Sequence, residues 1–239
     1  MKSVILRKDL PKISKKVIKR YLAIDDLTST VSDLLDQFGI VGAIPGSVLM
    51  PVVPGTRIAG PALTVRHIPE RKTMTQLRSE KAPVGWKLNE ARNIAKAGDV
   101  LVYEGNGRAD LSSAGNLATS MCQQQGLAGT IIDCGVRDVD AIRKLGYPTW
   151  ARGITPITGK YRYETVEING PVTIAGIAVR PGDLVLADGT GVVVVPYDMI
   201  EKVITEAEEA EKREKLLLDA MNRGVQGEDL MKILPYNKW

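Results

Sequence analysis

Two strand–turn–helix units stand back to back between Gly98 and Gly146, and they constrain the fold more than any other feature. Asp99-Val100-Leu101-Val102-Tyr103 reads as a strand, followed by a turn at Gly105-Asn106-Gly107. Ser112 or Ser113 then offers a cap for a helix running to Gln125 and stopped by Gly126. Ala128–Asp133 reads as a second, buried strand, Gly135-Val136-Arg137-Asp138 as the next turn, and Asp138–Leu145 as the next helix, ended by Gly146. Strands alternating with short helices predict a parallel sheet built from βαβ units. Ligands bind such sheets beyond the carboxyl ends of the strands, so both turns belong to one edge.

The flanks read less regularly. Residues 12–24 suit a basic helix. Thr28-Ser29-Thr30 caps a helix carrying Val31, Leu34, Leu35 and Phe38 and ending at Gly39. Residues 40–60, rich in Gly and Pro, predict short strands and turns, and Ala62–Arg66 a strand. Residues 69–85 read as a polar excursion, and Lys87–Ala97 as a helix. From Thr149 the pattern turns antiparallel in character, with strands at Tyr163–Ile168, Pro171–Val179, Leu184–Ala187 and Val192–Val195. A long charged helix from Met199 to about Asn222 follows, then a tail to Trp239.

Composition removes several chemistries. The chain has one histidine, His67, and two cysteines, Cys122 and Cys134. Zinc and iron–sulfur sites built on several His or Cys are excluded, and a metal would need carboxylate, carbonyl and water ligands, as magnesium or manganese do. Residues 1–20 hold eight of the 32 basic residues and one of the 28 acidic ones, a net of +7, so the remainder carries −3. The basic character is thus that of an N-terminal segment; with Tyr21 its only aromatic neighbour, it reads as a solvated helix and nucleic-acid binding is not expected. No apolar run reaches the ~18 residues of a membrane span. A soluble, cytoplasmic protein is expected.

Candidate chemistry gathers in residues 103–138. Gly115-Asn116-Leu117-Ala118 lies near a predicted helix start, where free N–H groups suit a carboxylate or phosphate. Arg137 suits a carboxylate fork, and Asp138 a hard divalent ion. Structural alternatives stand beside these readings. Asp138 is an apt N-cap for the helix it begins, and Arg137 has Asp133 and Asp110 as possible partners. Gly105-Asn106-Gly107 lacks the third glycine of a dinucleotide fingerprint, since Asp110 occupies that position. Ser112 and Ser113 have no histidine near them in sequence; Cys122, Cys134 and His67 read as structural.

Beyond this, the order of motifs from Gly98 to Pro196 resembles the RraA-like family. The matching pieces are Gly98-Asp99-Val100-Leu101-Val102, Gly115-Asn116-Leu117-Ala118, Gly126–Asp133, Gly135-Val136-Arg137-Asp138, Ala151-Arg152-Gly153, Asn169-Gly170-Pro171-Val172, Val179–Asp183 and Asp188–Pro196. Ser32-Asp33-Leu34-Leu35 and Ile58–Ala62 also fit, and the resemblance spans roughly residues 28–215. The family includes class II pyruvate aldolases acting on 4-hydroxy-4-methyl-2-oxoglutarate and 4-carboxy-4-hydroxy-2-oxoadipate, and the regulator of ribonuclease E activity A.

The resemblance implies a single domain over residues 1–239, with a basic segment at 1–24 and a C-terminal helix and tail at 197–239. Its fold would be α/β, a swivelling β/β/α sandwich with mixed sheets and a long C-terminal helix. Assembly would be a homotrimer or dimer of trimers. The implied activity is that of a Mg²⁺- or Mn²⁺-dependent lyase cleaving a 2-oxo acid through a pyruvate enolate, by aldol cleavage or oxaloacetate decarboxylation. Arg137 and Asn116 would be catalytic, Asp138 the metal ligand, and Gly115, Asn116, Leu117, Ala118 and Arg137 the substrate-binding set. Glu214, or Glu211, would reach the site from a neighbouring subunit. Asn116 stands where the aldolase motif carries an acid, and asparagine cannot accept a proton. A non-enzymatic regulator of a ribonuclease or other protein is the alternative; Asp138, which that regulator lacks, favours the enzyme.

Overall fold

The computed structural model describes residues 5–6, 11–81 and 88–233. The chain runs through β1 (Ile5–Leu6), α1 (Lys15–Ala23), α2 (Leu27–Gln37), β2 (Ala43–Pro45), β3 (Met50–Pro51), β4 (Ile58–Pro69), α3 (Met74–Ser79) and α4 (Leu88–Ile94). The two units follow as β5 (Val100–Glu104), β6 (Ser112–Ala114), α5 (Asn116–Gln124), β7 (Gly129–Val136), α6 (Val139–Leu145) and β8 (Thr149–Ile154). The last part holds β9 (Tyr163–Ile168), β10 (Val172–Ile174), β11 (Ile177–Val179), β12 (Leu184–Ala187), β13 (Gly191–Val195), α7 (Ile200–Asn222) and α8 (Glu228–Ile233).

One mixed sheet has the order β2-β13-β12-β4-β5-β7-β8-β3, with β9 beside the far half of β4. Strands β4, β5, β7 and β8 are parallel neighbours, as the two units require. The twelve-residue β4 joins the halves. Its first residues pair antiparallel with β12, while Ala62–Arg66 pair parallel with β5. A Cβ at Gly60 would overlap the Gly98 carbonyl, so glycine lets β4 pass this junction.

The strands are apolar on both sides because both faces are covered. Leu101 and Tyr103 of β5 join a core with Cys122 of α5 and Ile142 of α6, while Val100 and Val102 point the other way. There they meet Ile131, Trp150 and, from the other half of the sheet, Val185, Ala187, Val192 and Val194. The β10–β11 hairpin plugs this second core with Val172, Ile174, Ile177 and Val179. A third core seats α1, α2 and α7 on β12 and β13 through Tyr21, Leu27, Leu35, Leu186, Val195 and Val203. This is the mixed α/β architecture with a long C-terminal helix that the resemblance implied.

Several local expectations change. Ser112 and Ser113 belong to a short strand, and Gly115 holds the N-cap position of α5. Strand β7 continues through Gly135 and Val136, expected as a turn, because Gly135 fits where a side chain would strike the Ala109 and Leu111 carbonyls. Strand β8 is parallel to β7. Residues 171–179 fold into a hairpin turning at Ala175-Gly176, both at positive φ. The polar excursion contains α3, fixed by a capping box between Thr73 and Gln76. The tail forms α8, whose Leu230 packs on Leu217 and Ala220. Residues 82–87 of the expected loop and helix, and 234–239 of the tail, lie outside the described residues. No helix among the described residues is long and apolar enough to cross a membrane.

Candidate active site at the start of helix α5

Strand β7 ends with Val136 between Ala114 of β6 and Ile154 of β8. The next amide, Arg137 N–H, donates to the Ala114 carbonyl at 3.1 Å, which ties the Arg137-Asp138 turn to the entry of α5. Gly115 fills the gap between them. A Cβ there would overlap Asp138 Oδ2 and stand 2.8 Å from Arg137 Cγ. Only a residue without a side chain leaves both groups against the helix start.

Asp138 does not make the cap that was its structural alternative. It holds the N-cap position of α6, but its backbone is left-handed (φ 57°, ψ 36°) and its side chain makes no cap hydrogen bond there. The carboxylate faces α5 instead, where Oδ2 accepts the Asn116 N–H at 3.0 Å. Helix α5 has no acid in its first turn and no capping side chain of its own, so Asp138 supplies the negative charge its N-terminus favours. Left-handed backbone costs an L-residue about 1–2 kcal/mol, and aspartate is among the types that tolerate it. The Asp138 side chain is 43% exposed and open to a ligand.

Arg137 takes neither expected partner. Asp133 is held by Arg152 at 2.6 Å and Asp110 by Arg108 at 2.6 Å. Its Nε instead lies 3.5 Å from Asp138 Oδ2, with the side chain 43% exposed. Leu117, on the first turn of α5, is 76% exposed. The Asn116 side chain lies along the helix, its Oδ1 accepting from Ser120 Oγ at 3.3 Å. Gly115, Asn116, Leu117, Ala118, Arg137 and Asp138 thus converge on one open corner.

Glu211 and Glu214 lie on α7, which packs on α1, α2 and α8. Glu211 accepts the Asp25 N–H at 2.9 Å and pairs with Lys215 at 3.3 Å. Glu214 lines a groove of ≈280 Å³ between α2 and α7 with Asp33, Leu34 and Leu217. Neither glutamate belongs to the corner that its own chain forms.

The remaining candidates are structural. Buried His67 stacks between Tyr103 and Tyr163, each ring centroid 5.6 Å away, and burial pushes its pKa down to about 3. A neutral imidazole enclosed in this way cannot activate a serine at the surface. Ser113 Oγ lies 2.7 Å from Cys134 Sγ inside the core, and burial raises that thiol to about 12. Ser112 Oγ donates to the Ile157 carbonyl. Cys122 is buried as expected. The structure adds the Asp133–Arg152 pair; its sequence signal was the Ala151-Arg152-Gly153 motif, whose partner sequence spacing does not identify.

Among the described residues, the corner offers a hard divalent cation one carboxylate, that of Asp138. Asp138 Oδ1 makes no hydrogen bond, and no group of three or more His, Cys, Asp or Glu side chains suited to a metal occurs among the described residues. One carboxylate oxygen fits Mg²⁺ or Mn²⁺ ligated mainly by water and substrate, and does not fit a metal needing an all-protein cage.

Comparison with known proteins agrees with the architecture. The family model described as RraA-like, Aldolase/RraA, matches residues 28–194. Protein DlpA of Legionella pneumophila is 32% identical over 179 residues; the match covers 74% of this chain but only 27% of DlpA. A protein of Halalkalibacterium halodurans, provisionally named a 4-hydroxy-4-methyl-2-oxoglutarate aldolase, is 30% identical over 80% of this chain and 85% of its own length. Among solved structures, an uncharacterized protein from Pseudomonas syringae superposes with a TM-score of 0.77 at 30% identity, covering 93% of this chain and 98% of that one. Streptomyces coelicolor RraAS2, described as an unusual member of the RNase ES inhibitor RraA protein family, gives 0.74 at 26% identity, covering 87% and 98%.

Proposed function

The chain belongs to the RraA-like, Aldolase/RraA family, and from that premise we propose that it is a divalent-metal-dependent carbon–carbon lyase cleaving a small 2-oxo acid through a pyruvate enolate. Aldol cleavage, as the name of the Halalkalibacterium protein suggests, and oxaloacetate decarboxylation both proceed through that enolate. The carrying observation is the corner itself: Gly115 leaves room for Arg137 and Asp138 to face the N-terminus of α5 together.

Each group has a task. The N-terminal amides of α5 and its dipole hold the substrate carboxylate. The Nη groups of Arg137 make no hydrogen bond among the described residues and would donate to the keto oxygen as the carbon–carbon bond breaks and its electron pair moves toward that oxygen. Asp138 Oδ1 would hold Mg²⁺ or Mn²⁺, which when bound supplies Lewis-acid polarisation of the keto group. Asn116 keeps its N–H on Asp138 and cannot take a proton at its side chain. The corner therefore lacks a carboxylate base of its own. In a homotrimer or dimer of trimers a neighbouring copy would bring one; Glu214 suits this better than Glu211, which is engaged by Asp25 and Lys215.

Asn116 and the basic N-terminal segment favour the second reading, a non-enzymatic regulator of a ribonuclease or other protein. One assay separates the two: pyruvate release by the full chain from oxaloacetate and from 4-hydroxy-4-methyl-2-oxoglutarate, with Mg²⁺ or Mn²⁺ and then with excess EDTA. Metal-dependent pyruvate is expected. No release from either acid by folded, oligomeric protein would overturn the lyase reading.

A further inference from the structure

A row of charged side chains crosses five adjacent strands on the sheet face that carries the hairpin. Register aligns Glu167 of β9 with Arg66 of β4, Arg66 with Glu104 of β5, and Glu104 with Asp133 of β7. Arg152 of β8 completes the row beyond Asp133. Signs along it run minus, plus, minus, minus, plus. Arg66 Nε holds Glu104 Oε2 at 3.0 Å and Nη1 lies 3.5 Å from Glu167. Arg152 gives both Nε (2.9 Å) and Nη2 (2.6 Å) to Asp133 Oδ1, which also accepts the Ala175 N–H of the hairpin turn at 3.2 Å.

The two central carboxylates are side by side with no cation between them. Their side chains are 16% and 5% exposed, and each is paired with one arginine, Glu104 with Arg66 and Asp133 with Arg152. Glu104 Oε1 makes no hydrogen bond among the described residues, and Asp133 Oδ2 makes none to a side chain, although the Gly107 N–H also acts on the Asp133 carboxylate. Both residues line one open groove beside the hairpin, together with Asn106, Arg152 and Thr173. Asn106 spends its Nδ2 on the His67 carbonyl, leaving Oδ1 as an acceptor. Arg152 retains Nη1 as a donor.

We propose that this groove is a second small-molecule site that binds an α-amino acid or a closely similar zwitterion. A primary ammonium has three donors, and Glu104 Oε1, Asp133 Oδ2 and Asn106 Oδ1 are three acceptors. Its positive charge would balance the two negative charges that stand side by side in the row. The neighbouring carboxylate falls to Arg152, one strand beyond Asp133. The site lies across the sheet from α5, since Glu104 and Asp133 share the face of Val102 and Ile131, and α5 packs on the other.

The test is a thermal-shift screen of the full chain with the common L-amino acids at ~10 mM, above the ~1 mM dissociation constant typical of so small a ligand. Calorimetry then measures the best binder. At least one amino acid should bind, while ethylamine and acetate, each carrying half of its charge, should bind at least about tenfold more weakly. Glu104→Gln should weaken binding by about tenfold. Thr173→Trp, at an exposed hairpin position, should block the groove and abolish it. Asp138→Ala should leave binding unchanged. Failure of every amino acid to bind, equal binding of ethylamine, full binding in either groove variant, or loss of binding in Asp138→Ala would overturn the proposal.

Discussion

Asp138 caps the wrong helix: its carboxylate accepts the backbone N–H of Asn116, 22 residues earlier, and not an amide of the helix it begins. The left-handed backbone at Asp138 makes this possible by turning the side chain back toward α5. One oxygen is then fixed by the helix start and by Arg137, and the other is left for a ligand. A residue whose spacing suits an ordinary cap is thereby made part of a binding corner.

Gly115 sets the clearance of that corner. Gly115→Ala would drive a methyl group into Asp138 Oδ2 and the Arg137 side chain. The backbone at Gly115 is extended and accepts alanine, so the cost falls on the neighbours. Pyruvate release should fall by about a hundredfold, since small misplacements at a reacting centre cost that much. Stability should fall by only about 1–3 kcal/mol. Steady-state kinetics beside urea unfolding checks both, and unimpaired turnover would refute the role given to Gly115.

Asp138→Ala should remove metal affinity and activity while the protein stays folded. Losing the carboxylate at the α5 N-terminus should cost about 0.5–2 kcal/mol of stability. Asp138→Asn keeps an oxygen acceptor for the Asn116 N–H and should recover much of that stability without recovering activity. Mn²⁺ titration with both variants, alongside thermal melts, separates the two roles of the side chain.

Asn116→Asp should raise any aldolase rate, because it adds a proton-accepting carboxylate while leaving the backbone N–H on Asp138. The measurement is kcat for 4-hydroxy-4-methyl-2-oxoglutarate across pH 6–9. A marked loss would mean that the amide side chain serves a different reaction.

His67 makes stability depend on pH. Burial lowers its pKa from about 6.5 to about 3, so between those values the unfolded chain binds the proton and the folded chain does not. This contribution is fully present above pH 6.5 and is lost as pH falls toward 3. Between pH 7 and 4.5 it amounts to about 2–3 kcal/mol. His67→Phe, still stacked between Tyr103 and Tyr163, should lose that part of the slope. Urea unfolding of both proteins at the two pH values is the check; equal slopes would exclude His67 as the cause.

The parallel centre of the sheet and the neighbourhood of the site were legible in the order of residues alone. Alternating apolar runs and glycine stops between Gly98 and Gly146 are local signals, and they brought Arg137, Asp138 and the start of α5 to one edge. The motif resemblance carried the family. Tertiary structure decided what local signals could not. Ser113 reads as a helix cap, yet its hydroxyl meets Cys134 once β6 pairs with β7. Asp138 reads as a cap for α6, yet the space left by Gly115 gives its carboxylate to α5. The charged row from Glu167 to Arg152 draws on β9, β4, β5, β7 and β8, which no short window spans. Sequence fixes what each residue offers over a few neighbours, because propensities and caps act within about a turn. Which oxygen meets which amide depends on strand register and on gaps between distant elements, and those exist only after the sheet has closed on its cores.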